Sequence, residues 1–396
     1  MRETTTTDSH EFPGFHLPGS PVFGGALDTS MFHGPLPAPT SVLDLAMVFG
    51  SRLWGHDLPL DADALGAAPG TGDLYTNELR ERASTMLCER VARELHEDPD
   101  EWRALVLHTG SESVETALKT ALRATARTQM VAYQGAYHGT FGLALAVTHD
   151  GRFRDSWAAQ LPDTVQWASW GFVPALDADT ACVIVEPWQG RAGVIPPKPG
   201  FLALLREECD RVGALLILDA VLCGAGRTGP TIAQELAEAR PDIVCLGKAI
   251  GCGVTASAVV CRTGVAEDAW DRGPVEPAHT STSLGDPLAS AGIIAALHRL
   301  DMRKDELVQA SRDWFSMLQP LARESRLQLR GIGMTWALDT RASGGGVELA
   351  HRLLDEHQIL VVPSGPDGSS ITIYPAVPTT DLERDRFAAA IRTLRP

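Results

Sequence analysis

Residues 241–254, PDIVCLGKAIGCGV, decide the reading of this chain. An apolar, strand-like run ends at Gly247, Lys248 follows, and a glycine-rich turn comes next. The other three lysines have ordinary settings: Lys119 within the helical ETALKTAL, Lys198 in the loop IPPKPG, and Lys304 in the charged run DMRKDEL. A lysine fixed at the end of a buried strand is partly desolvated, so its pKa falls and its free amine becomes a nucleophile toward carbonyls. A second apolar run, LLILDAV at 215–221, ends in Asp219, 248 − 219 = 29 positions before the lysine.

Outward from this pair, strands and helices alternate. ALVLHTG (104–110), QMVAYQG (129–135), ACVIVEP (181–187), ALLILDAV (214–221), PDIVCLG (241–247) and ASAVVCR (256–262) read as strands. NELRERASTMLCERVAREL (77–95), SESVETALKTALRATA (111–126), FLALLREECDRVG (201–213) and PLASAGIIAALHRL (287–300) read as helices. Short Val/Ile/Leu-rich strands with helices between them predict an α/β fold whose mostly parallel sheet is covered on both faces. Beyond residue 300 the pattern of LQLRGIGMTWALDT, ELAHRLLDEHQILVV and SSITIYPAV predicts a smaller α+β lobe. The expected organisation is an N-terminal arm over 1–55, a large domain over 56–300 and a small C-terminal domain over 301–396. Residues 1 to about 40, rich in Pro, Gly, Thr and Ser, read as loop.

A chain of 396 residues is long enough for more than one lobe. Its formal charge of −16 argues against nucleic acid as a partner, because phosphate binding needs basic patches. The sequence has no 18-residue apolar stretch, and MRETTTTDSHEF lacks the basic and apolar regions of a secretion signal, so neither a membrane span nor export is expected. Seven cysteines without a CxxC pair, several inside apolar runs, read as reduced core residues of a cytoplasmic protein rather than as a disulfide or metal framework.

The remaining candidates also sit at strand ends, where open α/β sheets bind ligands. Gly110 and Ser111 close one strand and open a helix, whose N-terminus suits a phosphate; the same residues also read as plain capping by Ser111 or Ser113, with Glu112 or Glu115 in the first turn. Tyr137 and His138 offer a ring and an imidazole, either for stacking on an aromatic cofactor or as a buried pair. Glu186 follows a largely apolar run and so demands a partner. The turn WQGRAG brings Trp188, Gln189 and Arg191 to the same rim, and Thr282 lies in the hydroxyl-rich HTSTSLGD, a second phosphate contact or a cap. A lysine for a Schiff base and a carboxylate for a pyridinium nitrogen are what pyridoxal 5'-phosphate (PLP) needs.

Seven ordered blocks, WGHDLP, TGSESVETALK, GAYHG, VEPWQGRAGVIPP, LLILDAVLCGAGRTG, PDIVCLGKAIGCGV and TSTSLGDPLASA, resemble the class III aminotransferases of PLP fold type I. The resemblance implies a homodimeric PLP enzyme of that fold, with a seven-stranded type of sheet, acting on small amines and carbonyls. It implies that Lys248 holds the cofactor, Asp219 pairs with its ring nitrogen, and Gly110 and Ser111 take its phosphate with Thr282 of the other subunit. Tyr137 would stack on the ring with His138 beside it, Val221 would pack on its other face, and Glu186 would support the site. Trp54, Trp188 and Arg191 are the candidate substrate contacts. The chain also departs from the family. Ala220 and Leu222 replace the usual Glu and Gln, Arg191 replaces a Glu, and Thr372 stands where many members carry a carboxylate-binding Arg. The expected activity is transamination with unusual substrate recognition. Racemisation, epimerisation, decarboxylation or elimination on the same residues, and a non-catalytic binding role, are the alternatives.

Overall fold

The computed structural model describes residues 31–33, 41–57, 70–72, 75–270 and 278–394; most of the loop expected before residue 41 lies outside these. Strands are numbered along the chain. β1 (Met31–His33) and β2 (Ser41–Asp44) pair antiparallel. β3 (Trp102–Leu107), β4 (Gln129–Tyr133), β5 (Val165–Ala168), β6 (Thr180–Val185), β7 (Leu215–Asp219), β8 (Ile243–Leu246) and β9 (Ser257–Arg262) form a seven-stranded sheet in the order β3-β9-β8-β7-β6-β4-β5. β9 is antiparallel to both of its neighbours, and the remaining pairs are parallel.

The continuous apolar runs follow from two covered faces. In β6 every residue is buried. Val183 and Val185 join a core with Phe201, Leu202 and Leu205 of the helix Phe201–Val212, while Cys182 and Ile184 join Val114, Ala117, Leu118 and Ala121 of the helix Gly110–Thr125. β7 and β8 alternate in the same way, so neither face tolerates a polar residue until the strand ends. β3, β4, β6, β7 and β8 therefore end on one edge of the sheet, and that edge carries the site.

The C-terminal part contains β10 (Gln328–Ile332), β11 (Thr335–Asp339), β12 (Ile359–Leu360), β13 (Val362–Ser364) and β14 (Ser370–Ile373). LQLRGIGMTWALDT is a hairpin of two strands turning at Gly333 (φ +62°), where one strand was expected. β10, β11, β14 and β13 form an antiparallel sheet. The helices Lys304–Glu324 and Asp381–Thr393 were not anticipated, and residue 300, the expected end of the large domain, falls in the last turns of the helix Pro287–Met302. Residues 41–55, expected as part of the arm, are built into the core instead. β2 pairs parallel with β12, the Tyr374 N–H donates to Leu45 O at 2.7 Å, and Leu43, Leu45, Met47, Leu53 and Trp54 are buried.

Arg227 fastens these parts together. It lies beyond β7 in the turn GAGRTG and is fully buried. Its Nε donates to Gly50 O (2.7 Å), and its Nη1 donates to Met334 O (3.1 Å) and Pro375 O (2.8 Å). Burial pushes its pKa down to about 9, which leaves it charged at neutral pH. All seven cysteines are free and buried.

Removing the clasp exposes its importance. Arg227→Met keeps much of the volume but strips three buried carbonyls of their donor. We expect a loss of about 3 kcal/mol or more, read as a lowered midpoint in urea; a midpoint matching the wild type would show that water replaces the guanidinium without penalty.

Candidate active site

Five strand ends meet at a cavity of about 690 Å³ lined by Gly110, Ser111, Tyr137, His138, Glu186, Asp219, Val221 and Lys248. At the end of β3 the helix Gly110–Thr125 begins with a capping box: the Glu112 N–H donates to Thr109 Oγ1 at 3.2 Å, and the Thr109 N–H donates to a Glu112 carboxylate oxygen at 3.4 Å. The cap is thus Thr109, neither Ser111 nor Ser113. Ser113 is buried and donates to Ala258 O at 2.8 Å. The first N–H groups of a helix have no intrahelical acceptor, and Gly110 and Ser111 line the cavity at this helix start. Gly110 is required there by close approach: a Cβ would stand 2.7 Å from Val221 Cγ1.

Asp219 ends β7, and Lys248 lies just past β8. Asp219 is buried, with Oδ2 2.6 Å from His138 Nδ1 and Oδ1 accepting from the Val221 N–H at 3.0 Å. A carboxylate facing Nδ1 fixes the imidazole proton on that nitrogen. His138 Nε2 is buried without a hydrogen-bond partner among the described residues. His138 is buried and Tyr137 half-buried, and the imidazole orients Asp219. Lys248 sits in a left-handed backbone conformation (φ +49°) on the turn Lys248–Gly251 and projects from it into the cavity wall. Burial holds its ammonium pKa below the ordinary 10.5, against the opposing pull of Asp219 and Glu186.

Glu186, at the end of β6, is a fastening. Its Oε1 accepts from the Tyr137 N–H (2.9 Å) and its Oε2 from the Gly190 N–H (3.1 Å), joining two loops across the cavity floor. Burial raises its pKa to about 7. Tyr137 packs edge-on against Phe153 with ring centroids 5.2 Å apart. The Arg191 guanidinium lies 5.6 Å from the Tyr137 ring centre and 5.4 Å from that of Phe153. Among the described residues its buried Nε has no hydrogen-bond partner.

Gly110, Ser111, Tyr137, His138, Glu186, Arg191, Asp219, Val221 and Lys248 are thus brought together, whereas Trp54, Trp188 and Thr282 are not among the lining residues. Trp54 is buried in the main core under the Arg303 guanidinium, 5.2 Å from its ring centre. Trp188 donates from Nε1 to Glu235 at 2.7 Å and packs against the small cluster around Leu222 and Cys223. Thr282 is exposed. Thr372 is fully buried, its hydroxyl donating to Ser364 Oγ at 2.6 Å, so it offers the cavity no cation.

Phe49, Phe153 and Tyr374 complete the lining and were not anticipated as site residues; Leu222 also lines it. Phe49 stands on a left-handed turn in which Met47, Val48 and Phe49 have φ of 43°, 51° and 52°. Each such non-glycine residue costs roughly 1–2 kcal/mol. The turn is held by Asp44 Oδ1, which accepts the Ala46 and Met47 N–H groups at 2.8 Å, and by Arg227 on Gly50 O.

The family model for class-III aminotransferases matches residues 39–394. Over 263 residues the chain is 38% identical to an acetylornithine aminotransferase of Methanopyrus kandleri, an alignment covering 64% of each chain. The chain thus spans under two thirds of that relative's length. It is 33% identical over 317 residues to a [LysW]-aminoadipate semialdehyde/glutamate semialdehyde transaminase of Sulfurisphaera tokodaii, covering 77% of this chain and 79% of the relative. Its structure superposes on ornithine aminotransferase from Toxoplasma gondii, whose crystals show partial PLP occupancy at the active site, with a TM-score of 0.80 and 25% identity over 94% of this chain and 89% of that one.

The buried amine makes a prediction that needs no ligand. Lys248→Met keeps the side-chain length and the backbone class but removes a desolvated charge. Because the folded pKa lies below the unfolded 10.5, the ammonium burdens the fold most at pH below the folded pKa, and the burden fades as pH rises toward the unfolded value. Apo Lys248→Met should melt above the apo wild type at pH 7, with the gap shrinking by pH 10. A gap that is absent or widens with pH would remove desolvation as the cause of the shift.

Proposed function

The chain belongs to the class-III aminotransferases, and from that premise we propose that it transfers an amino group from a small amine or amino acid to a carbonyl acceptor. Its cofactor is PLP, and the residues fit that group: an amine, a buried carboxylate and an open helix N-terminus share one cavity. That convergence is the observation that carries the reading.

Lys248 would hold the cofactor covalently, Asp219 would pair with its ring nitrogen, and the N–H groups of Gly110 and Ser111 would bind its phosphate. Tyr137 and Val221 would flank the ring. When bound, PLP supplies an electron-withdrawing ring that accepts the electron pair left when a proton leaves the amine-bearing carbon. The protein does the rest. Burial holds the Lys248 pKa below its ordinary value, which favours the free amine as a base; Nζ takes the proton from the donor carbon and later delivers one to the acceptor carbon. Asp219 is held by His138 Nδ1 and the Val221 N–H, contacts that would keep it in place for the ring nitrogen. Glu186 keeps the Tyr137 and Gly190 loops in place.

A homodimer with shared sites accounts for two further features. Thr282 is exposed and outside its own chain's cavity, as a residue serving a partner's phosphate site would be. Val48, Phe49, Tyr75, Phe141 and Leu288 are large apolar side chains left exposed. We place the enzyme in the cytoplasm, acting on small molecules without nucleic-acid or membrane partners; no helix among the described residues is long and apolar enough to cross a membrane.

Three measurements test this reading. Purified wild type should absorb visible light through its lysine-linked cofactor, and Lys248→Ala should lose both the band and turnover; a Lys248→Ala enzyme of full activity would end the assignment. Asp219→Asn should fold yet lose about 4 kcal/mol or more of transition-state stabilisation in kcat/KM. One equivalent of oxo product from a donor amine without acceptor separates transamination from racemisation, decarboxylation and elimination. For the shared site, Lys248→Ala and Thr282→Ala chains mixed and re-dimerised should regain activity that neither has alone, whereas a fully active monomer in sedimentation would refute it.

A further inference from the structure

The cavity carries few charges that a substrate could use. Among the described lining residues the cations besides the histidine are Lys248 and Arg191. Lys248 serves the reaction and His138 is committed to Asp219. Arg191 alone is left to meet a substrate anion. Among the described residues it is held by two aromatic faces rather than by an acid, at 5.6 Å from the Tyr137 ring centre and 5.4 Å from that of Phe153, and its buried Nε has no hydrogen-bond partner there. Asp150, the acidic group near it, is engaged by Arg152. A planar guanidinium steadied this way suits one carboxylate gripped by two parallel hydrogen bonds.

Among the described residues the lining holds no arginine or lysine besides Lys248 and Arg191, and one wall of it is largely apolar. Leu222 and Tyr374 pack together with Met47, and Phe153 lies under Arg191. Phe49 reaches the mouth from its strained left-handed turn and is 53% exposed. Strain of this kind persists only where the surroundings enforce it, and it gathers at functional sites. Here Asp44 and Arg227 enforce it. A second carboxylate on the substrate would face this apolar wall or the buried Glu186, losing its water without gaining a cation.

We propose that the substrates selected are monocarboxylates with an apolar body, gripped at Arg191 and sized by Phe49, and that dicarboxylates such as glutamate and 2-oxoglutarate are discriminated against. This rests on the aminotransferase reading and names its substrate class. The reaction balances without an outside oxidant. The donor carbon is oxidised by two electrons as its C–N bond breaks and it takes a carbonyl oxygen from water, and the acceptor carbon is reduced by two electrons as its C–N bond forms and its own carbonyl oxygen leaves as water.

The test uses the holoenzyme and follows cofactor absorbance and oxo product with alanine, leucine, phenylalanine, glutamate, aspartate and 1-phenylethylamine. Leucine or phenylalanine should exceed glutamate in the specificity constant by at least about tenfold. In Arg191→Gln the loss for phenylalanine should be roughly 30-fold or more and at least about ten times the loss for 1-phenylethylamine, which has no carboxylate. Phe49→Ala should lower phenylalanine relative to alanine. A preference for glutamate, or equal losses for phenylalanine and phenylethylamine in Arg191→Gln, overturns the substrate class while leaving transamination standing. A cofactor spectrum unmoved by every amine overturns both.

Discussion

A single buried guanidinium sets the geometry on which the site depends. The sheet edge supplies Asp219, Glu186 and Lys248, but Phe49 comes from before the sheet and Tyr374 from the C-terminal part. Nothing in the sheet itself holds those segments at the cavity. Arg227 does, because its fork reaches carbonyls of residues 50, 334 and 375 at once. A hydrophobic side chain there would fill space without fixing a register. A guanidinium with three carbonyl acceptors allows only one arrangement of the chains it joins. The cost is a desolvated charge whose Nη2 lacks a hydrogen bond among the described residues.

The central sheet was legible because burial on both faces writes itself into the sequence. β6, β7 and β8 are apolar at nearly every position, and the first charged residue at or just beyond the end of each marks the edge. β5 was not legible, being a four-residue edge strand in which only Ala168 is buried and Gln166 is exposed. The helix Lys304–Glu324 opens in a charged run and contains Pro320, both of which argue against a helix locally; Leu307, Trp314, Leu318 and Leu321 bury one stripe of it all the same. β10 and β11 were read as one element because Gly331 and Gly333 look like interruptions of a strand rather than a turn between two.

The site divides along the same line. Residues at strand ends could be found by their abrupt polarity, since the chain must place them at one edge once the sheet forms. Phe49, Phe153 and Tyr374 come from three loops far apart in sequence, and only the folded chain shows that they share a wall. Trp54 misled for a related reason: it opens the motif WGHDLP, but its ring completes the core under Arg303. Thr372 stands in β14 with its hydroxyl held by Ser364, so that position carries packing where a cation was the family habit. The sequence signalled the loss of that cation, and the new setting of Arg191 between two rings became visible only in three dimensions.

The buried cysteines have a use outside catalysis. Desolvation raises every one of these thiols, Cys88 to about 11 and Cys182 and Cys209 to about 12. The reactive species toward alkylating reagents is the thiolate, and folded chains hold almost none at neutral pH. Each thiol becomes available only when its own part of the molecule opens. Cys182, Cys209 and Cys245 lie within or against the central sheet, whereas Cys223 belongs to the small cluster with Met47 and Tyr374 beside the cavity. The chain therefore carries internal timers, distributed between sheet and cavity wall, from which labelling rates resolve local breathing of the site from global unfolding.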